Sequence, residues 1–491
     1  MSHAKSIAAS VTDANSSSQS PADTLELLRF RDILALRRGP HIVAFHADTM
    51  DVANLAPEAW PALVSLTKPE ATLALTPDQT EAREELSLWS NEKPVEAMAQ
   101  RPLASGLDHA TVIRPILREP AIRSLTINVS QVCNLACTYC AAGGDGTYGS
   151  KTKTPDLDST QSLLTRLITA VPAGENFVVT FLGGEPLLHP EIVKSLARHA
   201  KLMAAGRGIR LHFDIVTNGT LVNAEAAELL ASLNANVTIS IDGAPEDNDR
   251  ARVTKSGRGS SAMILKGLAE LVKVRERLGS LTAGAVFGKH NLNVVKAWEF
   301  LSAYPFDSIK FDFAAETDDD EASREFARQV SDVADLAVAK GGERELRRLH
   351  TFDHLFRALD DKARIQNHCL AGKNHMQLDT NGKLTACQWF VGQKDEEFGS
   401  AKELDLSLEN PLLKGFSQPL IEKNGCGSCW ARHICGGGCM HVNKVKNGNK
   451  HKVDQAFCER TRTIIAKGIE RYAESRYDNP RRNIGDASEV H

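Results

Sequence analysis

Cys133, Cys137 and Cys140 lie in the run Asn128-Val-Ser-Gln-Val-Cys-Asn-Leu-Ala-Cys-Thr-Tyr-Cys140. Three thiolates spaced C-x3-C-x2-C on one loop can hold three irons of a [4Fe–4S] cube and leave the fourth without a protein ligand. An iron with an open position can chelate a small amino-acid group and pass an electron to it. A partial zinc site is the alternative, but no fourth Cys or His follows at the usual zinc spacing. The other seven of the ten cysteines all lie beyond residue 365. Cys369 is followed by Gly382 and Cys387, then by Cys426-x2-Cys429-x5-Cys435-x3-Cys439, and finally by Cys458. Seven thiolates complete one cluster and hold three corners of another. A disulfide framework fits poorly, because no cysteine precedes Cys133 and no secretory leader is visible. A double zinc ribbon fits the C-x2-C pair better, but the upstream triplet counts against it.

The triplet, with Tyr139 just before its last cysteine, resembles the radical S-adenosylmethionine (SAM) superfamily. The C-terminal set is similar to the SPASM domain of its peptide-modifying members, and follows that domain's cysteine spacing at every position. The resemblance implies three [4Fe–4S] clusters and SAM as cofactors. Cys133, Cys137 and Cys140 would hold the cluster that binds SAM, whose homolysis gives a 5′-deoxyadenosyl radical. Cys426, Cys429, Cys435 and Cys458 would hold an outer auxiliary cluster, and Cys369, Cys387 and Cys439 a nearer one. All ten cysteines are then used. An open iron in the nearer cluster could accept a substrate thiol; His368 or His375 could fill that corner instead.

These loops need a scaffold. Apolar stretches at Leu125–Val129, Phe177–Leu182, Leu211–Val216, Val237–Ile241, Ala283–Phe287 and Ile309–Phe313 read as strands. Helical patterns such as Leu163, Leu164, Leu167, Ile168 and Val171 lie between them. Six strand–helix units imply an α/β fold with a parallel sheet and right-handed crossovers. The resemblance makes this a partial (β/α)6 TIM-like barrel, with its site at the C-terminal strand ends. At those ends stand Gly183-Gly-Glu-Pro186, Thr217-Asn-Gly219, Ser240-Ile-Asp-Gly243 and Asp249-Arg-Ala-Arg252. By resemblance, Gly183 and Gly184 allow close backbone approach to SAM and Glu185 accepts its ammonium. Asn218 faces its ribose, Ser240 and Arg252 hold its carboxylate, and Tyr139 meets its adenine. Asp242 and Asp145 are the acid–base candidates.

Residues 1–22, rich in Ser and Ala, read as a disordered tail. Residues 23–115 read as a small α+β segment similar to winged-helix peptide-recognition modules, which bind a leader peptide as an added strand; a packing extension of the barrel is the alternative. Helical spacing is expected at Leu25–Leu28, an extended stretch at His41–His46, and a helix from Pro57 to Leu66. The barrel would span 118–330, a charged helical connector 331–365, the SPASM domain 366–465, and a C-terminal helix and tail 466–491. The acidic run Asp318-Asp-Asp-Glu321 reads as a solvated face. Net charge of −4 gives no reason to expect nucleic acid, no apolar stretch reaches the ~20 residues of a membrane span, and oxygen-sensitive clusters point to the cytoplasm.

The loop Cys140-Ala-Ala-Gly-Gly-Asp-Gly-Thr-Tyr-Gly149 and the chain length resemble the maturation proteins of quinohemoprotein amine dehydrogenase. That family forms thioether cross-links in the enzyme's small γ subunit, from Cys sulfur to methylene carbons of Asp or Glu. A cysteine-containing peptide substrate and an electron donor such as flavodoxin or ferredoxin follow as partners. Gln388-Trp389 follows Cys387, where sulfatase-maturing enzymes carry an Asp, so formylglycine formation is disfavoured. Carbon–carbon bond formation, epimerisation or dehydrogenation of a peptide is the other enzyme reading, and a non-catalytic metal scaffold is the alternative from another class.

Overall fold

The computed structural model describes residues 25–68, 73–93, 122–140, 154–314, 319–404 and 419–477. They divide into two compact units, one of residues 25–46 and 51–92, the other of 47–50 and 93 onward.

In the first unit, β1 (Glu26–Phe30), β2 (Ile33–Arg38), β3 (His41–His46) and β4 (Val52–Leu55) form an antiparallel meander. Two helices, α1 (Ala59–Thr67) and α2 (Pro77–Trp89), follow. Ile33, Ala35, Ile42, Ala44, Trp60, Leu63 and Leu86 share its core. Thr76 closes a capping box with Gln79 at the start of α2. The helical spacing at Leu25–Leu28 is not realised, and the stretch is strand β1. Four residues cannot separate the two periods, and β2 supplies a ladder reinforced by the Glu26–Arg37 ion pair at 2.6 Å.

The six expected barrel strands are all present: β5 (Ser124–Ser130), β6 (Asn176–Gly183), β7 (Arg210–Thr217), β8 (Asn236–Ser240), β9 (Ser280–Phe287) and β10 (Ser308–Phe313). They pair in parallel in chain order. Residues in β6 and β9 alternate between buried and half-open, so one face of each strand is sealed and the other only partly covered. The crossovers carry α3 (Leu157–Ala170), α4 (Pro190–Ala205), α5 (Ala224–Ser232), α6 (Pro245–Ala251), α7 (Ser261–Lys273) and α8 (Val294–Leu301). Leu163, Leu164, Leu167 and Ile168 form the buried stripe of α3. This is the partial (β/α)6 barrel.

Next come α9 (Asp320–Leu346), kinked at Gly341–Gly342, and α10 (His350–Asp360). The acidic run caps a helix: Asp319 accepts from Ala322 N, and Asp320 and Glu321 fill the first turn, where the helix dipole favours negative charge. Asp318 lies outside the described residues.

The cysteine-rich segment joins the barrel's own sheet. Strand β11 (His375–Leu378) pairs in parallel with β5, from His375↔Ser124 to Leu378↔Ile127, and β12 (Lys383–Thr385) and β13 (Gly399–Ser400) extend the sheet beyond it. The described residues that follow include the helices α11 (Leu420–Lys423), α12 (Arg432–Cys435), α13 (Met440–Asn447) and α14 (Gln455–Tyr477). Arg471 of α14 bonds Asp335 of α9 at 2.7 Å. Among the described residues, no helix is long and apolar enough to cross a membrane.

Candidate active site

The loop carrying Cys133, Cys137 and Cys140 leaves the C-terminal end of β5 and is pinned from two sides. Ala136 N donates to Val253 O at 2.8 Å and Thr138 N to Ala251 O at 3.0 Å. From β6, Gly184 N donates to Ser130 O at 2.7 Å and Glu185 N to Val132 O at 3.1 Å. A Cβ on Gly184 would sit 2.3 Å from Val132 O. Among the described residues, Gly183 and Gly184 both come close to the backbone of the cysteine loop.

Glu185 is fully buried. Its Oε1 accepts from Thr217 Oγ1 at 2.7 Å and Leu187 N at 3.0 Å, and its Oε2 from Asn218 N at 2.7 Å. Burial outweighs these donors and raises its pKa to about 7. Asn218 ties the third strand end to the loop. Its Nδ2 donates to Asn134 Oδ1 at 2.8 Å and to Cys133 Sγ at 3.5 Å, while its Oδ1 accepts from Thr220.

At the fourth strand end Asp242 is buried, with both oxygens engaged. Oδ1 accepts from Val286 N at 3.0 Å, and Oδ2 accepts from Tyr139 OH at 2.6 Å and pairs with Arg252 Nε at 3.0 Å. Asp242, expected from the sequence as an acid–base candidate, thus bonds both Tyr139 and Arg252. Burial opposes the charge of Arg252, yet Asp242, Tyr139 and Cys137 together raise its pKa. The Nη groups of Arg252 have no protein partner among the described residues, and its guanidinium lies 5.5 Å from the Tyr139 ring centroid. The Tyr139 ring also stacks on His290 at 4.3 Å and 21°. Ser240 is half-buried at the end of β8. Asp145 lies outside the described residues. Asn134, Thr220 and His290 were not singled out from sequence; their position just past strand ends was the available signal.

Thiols close enough to act electrostatically on one another fall into three sets. Cys133, Cys137 and Cys140 form one, Cys369, Cys387 and Cys439 the second, and Cys426, Cys429, Cys435 and Cys458 the third. Local folding makes the second and third sets neighbours. Gly436, at φ +70°, brings its backbone so close to Asn367 and His368 that a Cβ would lie 2.4 Å from Asn367 C. Arg460, also missed from sequence, faces Cys439 and Cys458 between the rings of Phe313 and Phe457, 4.7 and 5.1 Å away. Burial pulls its pKa down to about 10.

Residues 127–296 match the profile of the Radical SAM superfamily. They form a radical SAM domain. Beyond it, the chain is similar to the radical SAM cyclopropyl synthase TigE of Paramaledivibacter caminithermalis, at 24% identity over 71% of this chain and 74% of that protein. It is 22% identical to the cysteine-type anaerobic sulfatase-maturating enzyme of Clostridium novyi, over 69% of this chain and 93% of that protein. Mycofactocin maturase MftC of Mycobacterium ulcerans is 28% identical over 64% of this chain and 82% of its own length. Among solved structures, native anSMEcpe with bound AdoMet shares the fold, with a TM-score of 0.61 at 18% identity over 71% of this chain and 98% of that one.

A radical SAM domain implies a [4Fe–4S] cluster and SAM, and the donors present suit them. Burial and neighbouring thiols push Cys137 up to about 11 and Cys435 up to about 12, so neither ionises readily without a cation beside it. Iron supplies that cation. The Nη groups of Arg252 and the carboxylate of Glu185 match the two ends of an amino-acid ligand.

Proposed function

We propose that this chain is a radical SAM maturase that ties thioether bridges into a small cysteine-containing protein, joining Cys sulfur to a methylene carbon of Asp or Glu. The γ subunit of quinohemoprotein amine dehydrogenase is the substrate by resemblance. The observation that carries the reading is the division of the ten cysteines into sets of three, three and four with none left over. In this reading the first set holds the SAM-binding [4Fe–4S] cluster and the other two hold auxiliary clusters. The loop from Cys140 to Gly149 and the Gln388-Trp389 pair after Cys387 favour thioethers over formylglycine.

The loaded site supplies a 5′-deoxyadenosyl radical, which takes a hydrogen atom from an unactivated methylene. The chain's own residues position the reactants. Arg252, fixed by Asp242, offers its Nη groups to the SAM carboxylate, with Ser240 beside it. Glu185 accepts from the ammonium, and Tyr139, stacked on His290, gives adenine a flat wall. Asn218 serves the ribose side while holding Asn134 of the cysteine loop. Each bridge replaces one C–H and one S–H by one C–S bond. The hydrogen atom leaves in 5′-deoxyadenosine, the proton goes to solvent, and the remaining electron exits toward the two C-terminal sets. Flavodoxin or ferredoxin is the electron donor in this reading, and the cytoplasm is its compartment. The four-stranded sheet of the first unit offers β1 and β4 as edges for a leader peptide.

The test is anaerobic co-expression with the γ subunit followed by mass spectrometry. The expected result is a loss of two hydrogens per bridge with thiols that resist alkylation; an unaltered mass overturns it. Similarity to a cyclopropyl synthase favours a second reading, carbon–carbon bond formation, which would give the same mass loss with alkylatable thiols.

A further inference from the structure

Cys369, Cys387 and Cys439 offer a cubane three thiols where four ligands are usual. Two segments deliver Cys387 and Cys439. The sulfur of Cys387 receives the backbone N–H groups of Trp389 and Phe390, and that of Cys439 receives those of His441 and Val442 at the start of α13. The imidazole of His441 sits where the segments meet. Its ring stacks on Trp389 at 5.3 Å and 23° and meets the edge of Phe390 at 5.9 Å. His441 is 4% exposed, and among the described residues neither Nδ1 nor Nε2 has a hydrogen-bond partner. A buried polar group left unsatisfied is costly, so buried imidazoles normally have a hydrogen-bond partner. Lys444, whose charge acts on the ring, is committed to Asp395 and Glu396 at 2.6 and 2.9 Å. The two histidines that sequence alone put forward are held elsewhere. His368 Nδ1 lies 3.0 Å from Cys435 O, in the four-thiol set, and His375 Nδ1 lies 3.1 Å from Ser124 Oγ on β5.

We infer that His441 is the fourth protein ligand of the cluster held by Cys369, Cys387 and Cys439, an inference that rests on the cluster assignment above. A substrate thiol then has no vacant iron to bind there, and this cluster serves as an electron acceptor. Neutral imidazole is a suitable iron ligand.

The experiment uses the full-length chain with Cys133, Cys137 and Cys140 replaced by Ala, so that the SAM-binding cluster and SAM nitrogen contribute no signal. The protein is reconstituted anaerobically and reduced, and pulsed paramagnetic resonance is recorded with natural and 15N-imidazole histidine. The expected spectrum carries a nitrogen coupling that changes isotope with the label and is lost in His441→Gln and in His441→Cys. His441→Cys keeps the iron content, since a thiolate takes the corner, and so guards against mere misfolding. The inference is overturned if the coupling survives in either variant, or if iron for two clusters is present without any nitrogen coupling. Absence of C-terminal iron altogether overturns both this inference and the cluster assignment, which separates the two failures.

Discussion

Around Cys133 the chain is held by strands and backbone hydrogen bonds, whereas around Cys426–Cys439 it runs through short turns with glycines in left-handed conformations at 425, 436, 437 and 438. The first region is organised by a parallel sheet whose ends converge whatever they hold. In the second, the short helices α11 and α12, the turn at Cys426–Ser428 and the start of α13 set the thiols. A preformed scaffold supports the one, and the other depends on what it binds, because metal-binding energy is folding energy where local structure is sparse.

Iron removal should expose that contrast most strongly. Hydrogen exchange across 419–440 is expected to accelerate on the order of a hundredfold or more in metal-free protein, while β5–β10 keep their protection. Equal loss in both regions would erase the distinction. Gly184→Ala attacks the preformed side. With Val132 O only 2.3 Å from the added carbon, the cysteine loop must move. A destabilisation on the order of 3–5 kcal/mol is expected, together with loss of iron from the first site only, read by thermal melting and iron analysis.

A smaller effect follows from Glu185, whose pKa of about 7 in the fold exceeds the ordinary 4.5. The folded state therefore binds the proton more tightly than the unfolded state. This contribution to stability is complete below pH 4.5 and is lost as pH rises to about 7. Relative to Glu185→Gln, the metal-free wild type should lose about 3 kcal/mol between pH 4.5 and 7 and then level off, as measured by urea unfolding. A constant difference across that range would show that burial does not govern this carboxylate. Thr76→Ala is the smallest, costing about 1 kcal/mol in the first unit through its lost cap and leaving SAM cleavage unchanged.

The six barrel strands were legible because each is a short apolar run, and their sealed faces kept the register unambiguous. Cysteine spacing was legible because ligands cluster in sequence where loops are tight. Leu25–Leu28 was misread because its partner, β2, is not visible in a four-residue window. The link from Asp242 to Tyr139 joins residues 103 positions apart, and the parallel sheet brings them together. The buried, unpartnered ring of His441 had no sequence signal at all, since burial is a property of the packed segments around it.

Strand β11 is laddered to β5, the strand that feeds the first cysteine loop. Any thermal displacement of the segment between Cys369 and Cys387 must stretch main-chain bonds to that strand. The gap between the first and second thiol sets is thus braced like a fixed strut, and electrons hopping across it would meet a span that does not breathe.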